Sequence, residues 1–274
     1  MFEFDSATAV SRRPSDGSSD QPGHAVFDGE IHDGWDIGGN ANGGYLLAVA
    51  GAAMGEASGR PDPITLTAHY LAPGRPGPVT IETDIVKSGR QLATMTASLR
   101  SGDREVMRLL GSFGDVAASS GGFRDIVGAP PELPPLEECT ARSDNGVVGV
   151  PLMGRMKVRL NPAHVRFNEG IRTGRAVIEG WFEFADDRPV DTLALLFVVD
   201  AFPPPVFNID MPLGWVPTVE LTVHVRGIPV PGPLRCRFHT EYIQNGFLQE
   251  DSEVWDASDR LVATSRQLAL VPRG

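Results

Sequence analysis

Residues 63–79 (PITLTAHYLAPGRPGPV) align without a gap on residues 218–234 (TVELTVHVRGIPVPGPL). The matched positions are Leu66/Leu221, Thr67/Thr222, His69/His224, Pro76/Pro231, Gly77/Gly232 and Pro78/Pro233. Six identities in 17 positions compare with roughly one by chance at ordinary residue frequencies. With a one-residue shift in a turn, Asp103, Arg104 and Val106 fall on Asp259, Arg260 and Val262. A chain that repeats itself over such a span folds as two copies of one unit, which fixes its architecture before any other feature is read.

Each copy reads as a strand, an apolar helical run and four further strands. In the first, Ala25–Ile31 is a strand, and GGNANGGYLLAVAGAAMGEASG predicts a helix from about Gly43 to Ala57. Asn42 is its cap and Gly59 its stop. Strands near 64–71, 78–87, 91–100 and 104–113 follow, separated by PGRPGP, SGR and SGD. In the second copy AVIEGWFEFAD (176–186) is a strand, and DTLALLFVVDAF (191–202) is an apolar helical run stopped by Pro203-Pro204-Pro205. Strands near 217–226, 233–243, 247–256 and 260–271 complete it. SRRPSDGSSDQPG (11–23) reads as an exposed loop. The proline-rich stretch 115–149 can neither alternate nor run helically, and reads as a linker.

Lys and Arg number 24 against 35 Asp and Glu, a net charge of −11. A chain this acidic lacks the basic footprint of a nucleic-acid binder or of a protein held on anionic lipid. Cys139 and Cys236 make no disulfide framework and read as reduced thiols of a cytoplasmic protein. No window approaches the ~20 apolar residues of a membrane span, and no apolar leader opens the chain. The six histidines form no H-x₃-H or HExxH pair, so a metal centre is not expected. No G-x-S-x-G elbow supports a serine nucleophile.

An apolar helix followed by antiparallel strands, twice in tandem, resembles the type II acyl-CoA thioesterases, the double-hotdog enzymes. The resemblance runs from about residue 2 to residue 271. It rests on GGNANGGYLLAVA and HYLAPGRPGPVTIETDIVKSGRQLATMTASL in the first half, and on FVVDAFPP, PTVELTVHVRG and VATSRQLAL in the second. It implies an α+β tandem double hotdog, each half an antiparallel sheet wrapped around a central apolar helix. The halves are residues 1–114 and 150–274, with 115–149 between them. It further implies hydrolysis of acyl-CoA thioesters without metal or redox cofactor, by an Asp, a Thr and a Gln of the second half around one water. Those residues match Asp200, Thr218 and Gln267, with Thr222 the alternative if the strand register slips. Glu220 stands where Asp is expected. A homodimer or larger homo-oligomer is expected, since hotdog sheets associate by their edges.

Asp200 stands out on chemistry alone. It is the one charge between Thr192 and Asn208, with apolar Leu196 and Phe197 one turn behind it. A carboxylate there is costly to bury, and its place at a helix C-terminus adds to the cost, which fits a base of raised pKa. A solvent-facing Asp before the proline turn is the alternative. Thr218 and Gln267 carry no such signal, although parity puts Gln267 on one face with Ser265 and Ala269. GGNANGG suits close approach of backbone to a thioester, and N–H groups at a helix start are the expected oxyanion donors. Lys87, Arg90, Arg100, Arg104 and Arg108 are candidates to meet coenzyme A phosphates. Thr218 aligns on Pro63 and Gln267 on Gly111, so one site per chain is expected, built from the second half. A non-catalytic acyl-CoA-binding module, or a hydratase on the same scaffold, remains open from the residues alone.

Overall fold

The computed structural model describes residues 1–14, 22–119, 127–142 and 150–272. The rest of the loop expected over 11–23 and of the linker expected over 115–149 lies outside the described residues. The first copy contains α1 (Glu3–Ala7), β1 (Ser11–Arg12), β2 (His24–Ile31), a small hairpin β3 (Asp36–Ile37) and β4 (Asn40–Ala41), then α2 (Gly43–Ser58). It continues with β5 (Asp62–Tyr70), β6 (Gly77–Ser88), β7 (Ala93–Ser101) and β8 (Arg104–Gly114). The second contains β9 (Thr140–Ala141), β10 (Met156–Leu160), β11 (Val177–Phe184), α3 (Leu195–Val198), β12 (Thr218–Val225), β13 (Leu234–Gln244), β14 (Phe247–Trp255) and β15 (Leu261–Leu270).

All strands but the β3–β4 hairpin join one antiparallel sheet in the order β1-β2-β6-β7-β8-β5-β12-β15-β14-β13-β11-β10-β9. Read outward from its centre, the two sides repeat: β5, β8, β7, β6, β2 on one and β12, β15, β14, β13, β11 on the other. The register repeats too. Leu66 pairs with Gly111 and Gly111 with Met95, as Leu221 pairs with Gln267 and Gln267 with Glu250. Gly77 and Gly232, each between two prolines, share the left-handed backbone, with φ of 133° and 129°. At the seam β5 pairs with β12, and Thr67 and Thr222 share a hydrogen bond of 2.8 Å.

Helix α2 forms as its sequence predicts. The Asn42 side chain accepts from the Tyr45 N–H at 2.9 Å, and Gly59 ends the helix with φ of 63°. It is apolar nearly all round and buried along most of its length, as a helix wrapped by sheet must be. The second half departs from expectation. Its run 191–202 forms a single helical turn, Leu195–Val198, rather than a long central helix. Asp191 caps the turn through the Ala194 N–H, and the three prolines that follow cannot extend it. Gly44 and Gly51, two turns apart on α2, face α3, where Cβ atoms would press on Leu196. Phe4 of α1 joins Trp35, Tyr45, Phe184 and Phe197 in an aromatic cluster that unites the halves. Arg188 covers Phe4 and Phe184 while pairing with Asp5 and Asp191.

Within 115–149, Thr140–Ala141 pair with β10, and Trp181 Nε1–H donates to the Pro134 carbonyl at 3.1 Å. Cys139 and Cys236 are free and buried. No helix among the described residues is long and apolar enough to cross a membrane.

Candidate active site

Asp200 follows α3, and its side chain points to the start of α2, in the other half of the molecule. Its Oδ2 accepts from the Gly44 N–H at 2.8 Å and from Asn42 Nδ2–H at 2.9 Å. Asn42 also donates to the Asp200 carbonyl at 2.8 Å. One side chain therefore caps α2 with its oxygen and clamps Asp200 twice with its nitrogen, a set of one acceptor and two donors that neither an Asp carboxylate nor a Ser hydroxyl offers. The helix end that matters is thus the N-terminus of α2, which favours negative charge, not the C-terminus expected from the sequence. Burial still prevails: loss of water pushes the Asp200 carboxyl up to about 6, against the Gly44, Asn42 and Gly43 donors that hold it down. The Asn42 and Gly44 bonds both fall on Oδ2, and the residue keeps some surface.

The Gly44 N–H is committed to Asp200 and the Tyr45 N–H to Asn42, so the first turn of α2 positions the carboxylate. That differs from the oxyanion role expected for it. Gly44 is required by close approach: a Cβ there would lie 2.7 Å from the Leu196 carbonyl oxygen and 2.8 Å from Asp200 Cβ. Tyr70 of β5 donates its hydroxyl to the Gly43 carbonyl at 2.9 Å, and burial beside Asp200 and Glu220 raises its phenol.

Gln267 lies on β15, an interior strand, and is buried on the core face with Ser265 and Ala269, as parity predicts. Leu221 and Glu250 flank it across the two neighbouring strands. Thr218 owes its direction to a bulge. Counting by twos from Thr222 and Glu220 puts Thr218 on the outer face. The register shift between Thr218 and Glu220 instead sets it opposite Ala269, and residues directly opposite share a face. Thr218 thus lies on the core side with Gln267. Thr222, the alternative, lies on the outer side, bonded to Thr67 and Glu220. Glu220 also faces outward, opposite Leu268.

Glu250, which sequence reasoning missed, is buried on the core face, and burial next to Asp200 and Asp251 holds its carboxyl well above the usual range. Its signal was the alternation of FLQEDSEVW, whose inward positions are Leu248, Glu250 and Ser252. Asn42 was read only as a cap. Of the basic candidates, Arg100 and Arg108 pair with Glu105 on the outer surface of β8. Among the described residues no cluster of His, Cys, Asp and Glu could hold a metal ion.

In the first half the matching positions carry Pro63, Gly111 and Met95 in place of Thr218, Gln267 and Glu250. Asp200 stands nine residues after the cap Asp191; nine after the cap Asn42 stands Gly51.

A family model described as the acyl-CoA thioesterase N-terminal domain matches residues 31–114, and one described as the acyl-CoA thioesterase C-terminal domain matches residues 130–271. An uncharacterised protein of Mycobacterium tuberculosis is 30% identical over 291 aligned positions, covering 97% of each chain. The crystal structure of a presumed thioesterase II from Thermobifida fusca superimposes with a TM-score of 0.86 at 29% identity, covering 100% of this chain and 98% of that one. A conserved protein with hotdog fold from Alicyclobacillus acidocaldarius gives a TM-score of 0.81 at 23% identity, covering 100% and 99%.

Proposed function

Since the chain belongs to the acyl-CoA thioesterase family and is an acyl-CoA thioesterase of tandem hotdog fold, we propose that Asp200 is its general base and that Thr218 and Gln267 hold the attacking water. Oδ1 of Asp200 takes the proton as the water oxygen bonds to the thioester carbonyl carbon. The Thr218 hydroxyl and the Gln267 amide, each able to donate and accept, fix the orientation of that water. The tetrahedral intermediate then collapses with cleavage of the C–S bond as Asp200 returns the proton to the leaving sulfur, giving a carboxylic acid and the coenzyme A thiol and restoring the carboxylate. The observation that carries this reading is a carboxylate raised to about 6 yet fixed by two N–H donors on one oxygen. Such a group is ionised at neutral pH and still basic enough to accept a proton.

The site is composite. Asp200, Thr218 and Gln267 come from the half we assign to residues 150–274, whereas Asn42 and Gly44 come from the half assigned to 1–114. We take the protein to work in the cytoplasm on fatty acyl-CoA, as a homodimer or larger assembly. Release of free thiol from short, medium and long acyl-CoAs tests the reading, with Asp200→Asn alongside. No hydrolysis by wild type across the panel, or half the rate retained by the variant, overturns it.

A further inference from the structure

We propose that Glu250 is a positioning residue that works as a neutral acid, its carboxyl O–H donating within the site so that Gln267 is held ready for the water and Asp200 alone is the anion. The inference deepens the reading above and rests on it. Three observations carry it.

Glu250 is 7% exposed and lies on the core face directly across from Gln267, a cross-strand placement that brings the side chains side by side. Among the described residues no cation or hydrogen-bond donor meets its carboxyl, so no protein partner offsets its loss of water on burial. Asp200, by contrast, has the Asn42 and Gly44 donors. Two carboxyls that feel each other in one desolvated site cannot both ionise cheaply, and the one with N–H partners takes the charge. The charged and titratable groups about the pair agree: Asp200 after α3, Tyr70 on β5, Glu220 on β12 and Asp251 on β14 supply no positive charge. Arg266 is paired with Asp251, and Arg142, a buried cation, donates to the Ala201 carbonyl and makes no ion pair with either carboxyl.

The repeat gives the third observation. The first half places Met95 at the matching position, across from Gly111, where no Gln needs support. Glu accompanies Gln and Met accompanies Gly, as expected if the acid serves the amide and not the fold.

The pH-rate profile of three proteins tests this. Wild type is expected to rise through the Asp200 limb and to fall again at alkaline pH, where Glu250 ionises beside Asp200. Glu250→Gln keeps a neutral donor of the same shape, and is expected to stay within about threefold of wild type at pH 7 while losing the alkaline fall. Glu250→Met copies the repeat, removes a buried carboxyl and loses the donor. It is expected to melt higher than wild type yet turn over at least about tenfold more slowly, a loss of about 1.4 kcal/mol or more. The infrared band of a protonated carboxyl at pH 7.5, present in wild type and absent in Glu250→Gln, reads the same proton without turnover. Glu250→Met at full rate, an alkaline limb retained in Glu250→Gln, or no such band in wild type overturns the proposal. An inactive wild type that shows the band would instead overturn the thioesterase reading and leave the acid pair standing.

Discussion

At the scale of the residue, Asp200 exchanges water for two N–H donors on a single oxygen, and the balance sets the pH at which it can act. Its pKa of about 6 in the folded chain lies above the unfolded value near 3.9. For a group raised in this way, stability is fully present below pH 3.9 and is lost as pH climbs through 6; two units correspond to about 3 kcal/mol. The ionised carboxylate is therefore held at a cost to the fold, and Asp200→Asn separates that cost from the proposed role as base. It should remove the acid limb of kcat/KM near pH 6 and lower kcat by about 10²–10⁴-fold. Above pH 7 it should also melt no lower than wild type, which calorimetry would show. A residue that merely capped α2 would give the opposite result, a modest loss of rate with a clear loss of Tm. The threonines divide on the same logic. Thr218→Ser should keep most activity and Thr218→Val should lose about ten- to a hundredfold, the worth of one charge-directed hydrogen bond of 1.5–3 kcal/mol. Thr222→Val, on the outer face, should leave kcat unchanged.

At the scale of the element, most of the sheet was legible because each strand is bounded by turn chemistry, PGRPGP, SGR, SGD and PVPGP, and alternates inward and outward between those limits. The cap at Asn42 and the stop at Gly59 were legible for the same local reason. What sequence could not supply was non-local or against the period. The bulge that turns Thr218 inward breaks the two-residue count, and nothing in TVELTVH announces it. The clamp from Asn42 to Asp200 joins residues 158 apart. LALLFVV is apolar enough to predict a longer helix, yet it forms one turn, Leu195–Val198, that ends before Pro203 is reached. That short turn lets α2 approach closely, and Gly44 is the point of contact. Gly44→Ala puts a methyl against the Leu196 carbonyl and Asp200 Cβ, so α2 and α3 must part. An overpacked contact of this kind costs about 1–3 kcal/mol. The variant should melt several degrees lower and lose much of its activity, because the Gly44 N–H moves with the backbone. Gly59→Ala, with open space around its Cβ, should show strain in Tm alone.

At the scale of the whole molecule, the duplication was legible as a repeat, and its asymmetry as Pro63 and Gly111 opposite Thr218 and Gln267; the structure adds Gly51 opposite Asp200 and Met95 opposite Glu250. What the repeat did not disclose is that the proposed site draws on both copies. The seam at β5–β12 makes one continuous sheet, α2 lies against α3, and the first turn of α2 holds the Asp200 carboxylate of the second half. A chain truncated to 150–274 would therefore leave β12 as a bare edge carrying apolar Leu221, Val223 and Val225 on one face, a template for aggregation. It would also leave Asp200 without Gly44 and Asn42. Expressed alone, this half should be insoluble or, if soluble, inactive, although it holds Asp200, Thr218 and Gln267. Co-expressed with residues 1–149, it should re-form the seam and recover turnover, and Asn42→Ala in the first fragment should then depress the recovered rate. The rate should depend on both fragments and saturate at one acyl-CoA analogue per reconstituted pair, measured by titration calorimetry. Substantial hydrolysis by 150–274 alone would show that the first half is dispensable to the base, and the clamp at the start of α2 would lose its meaning.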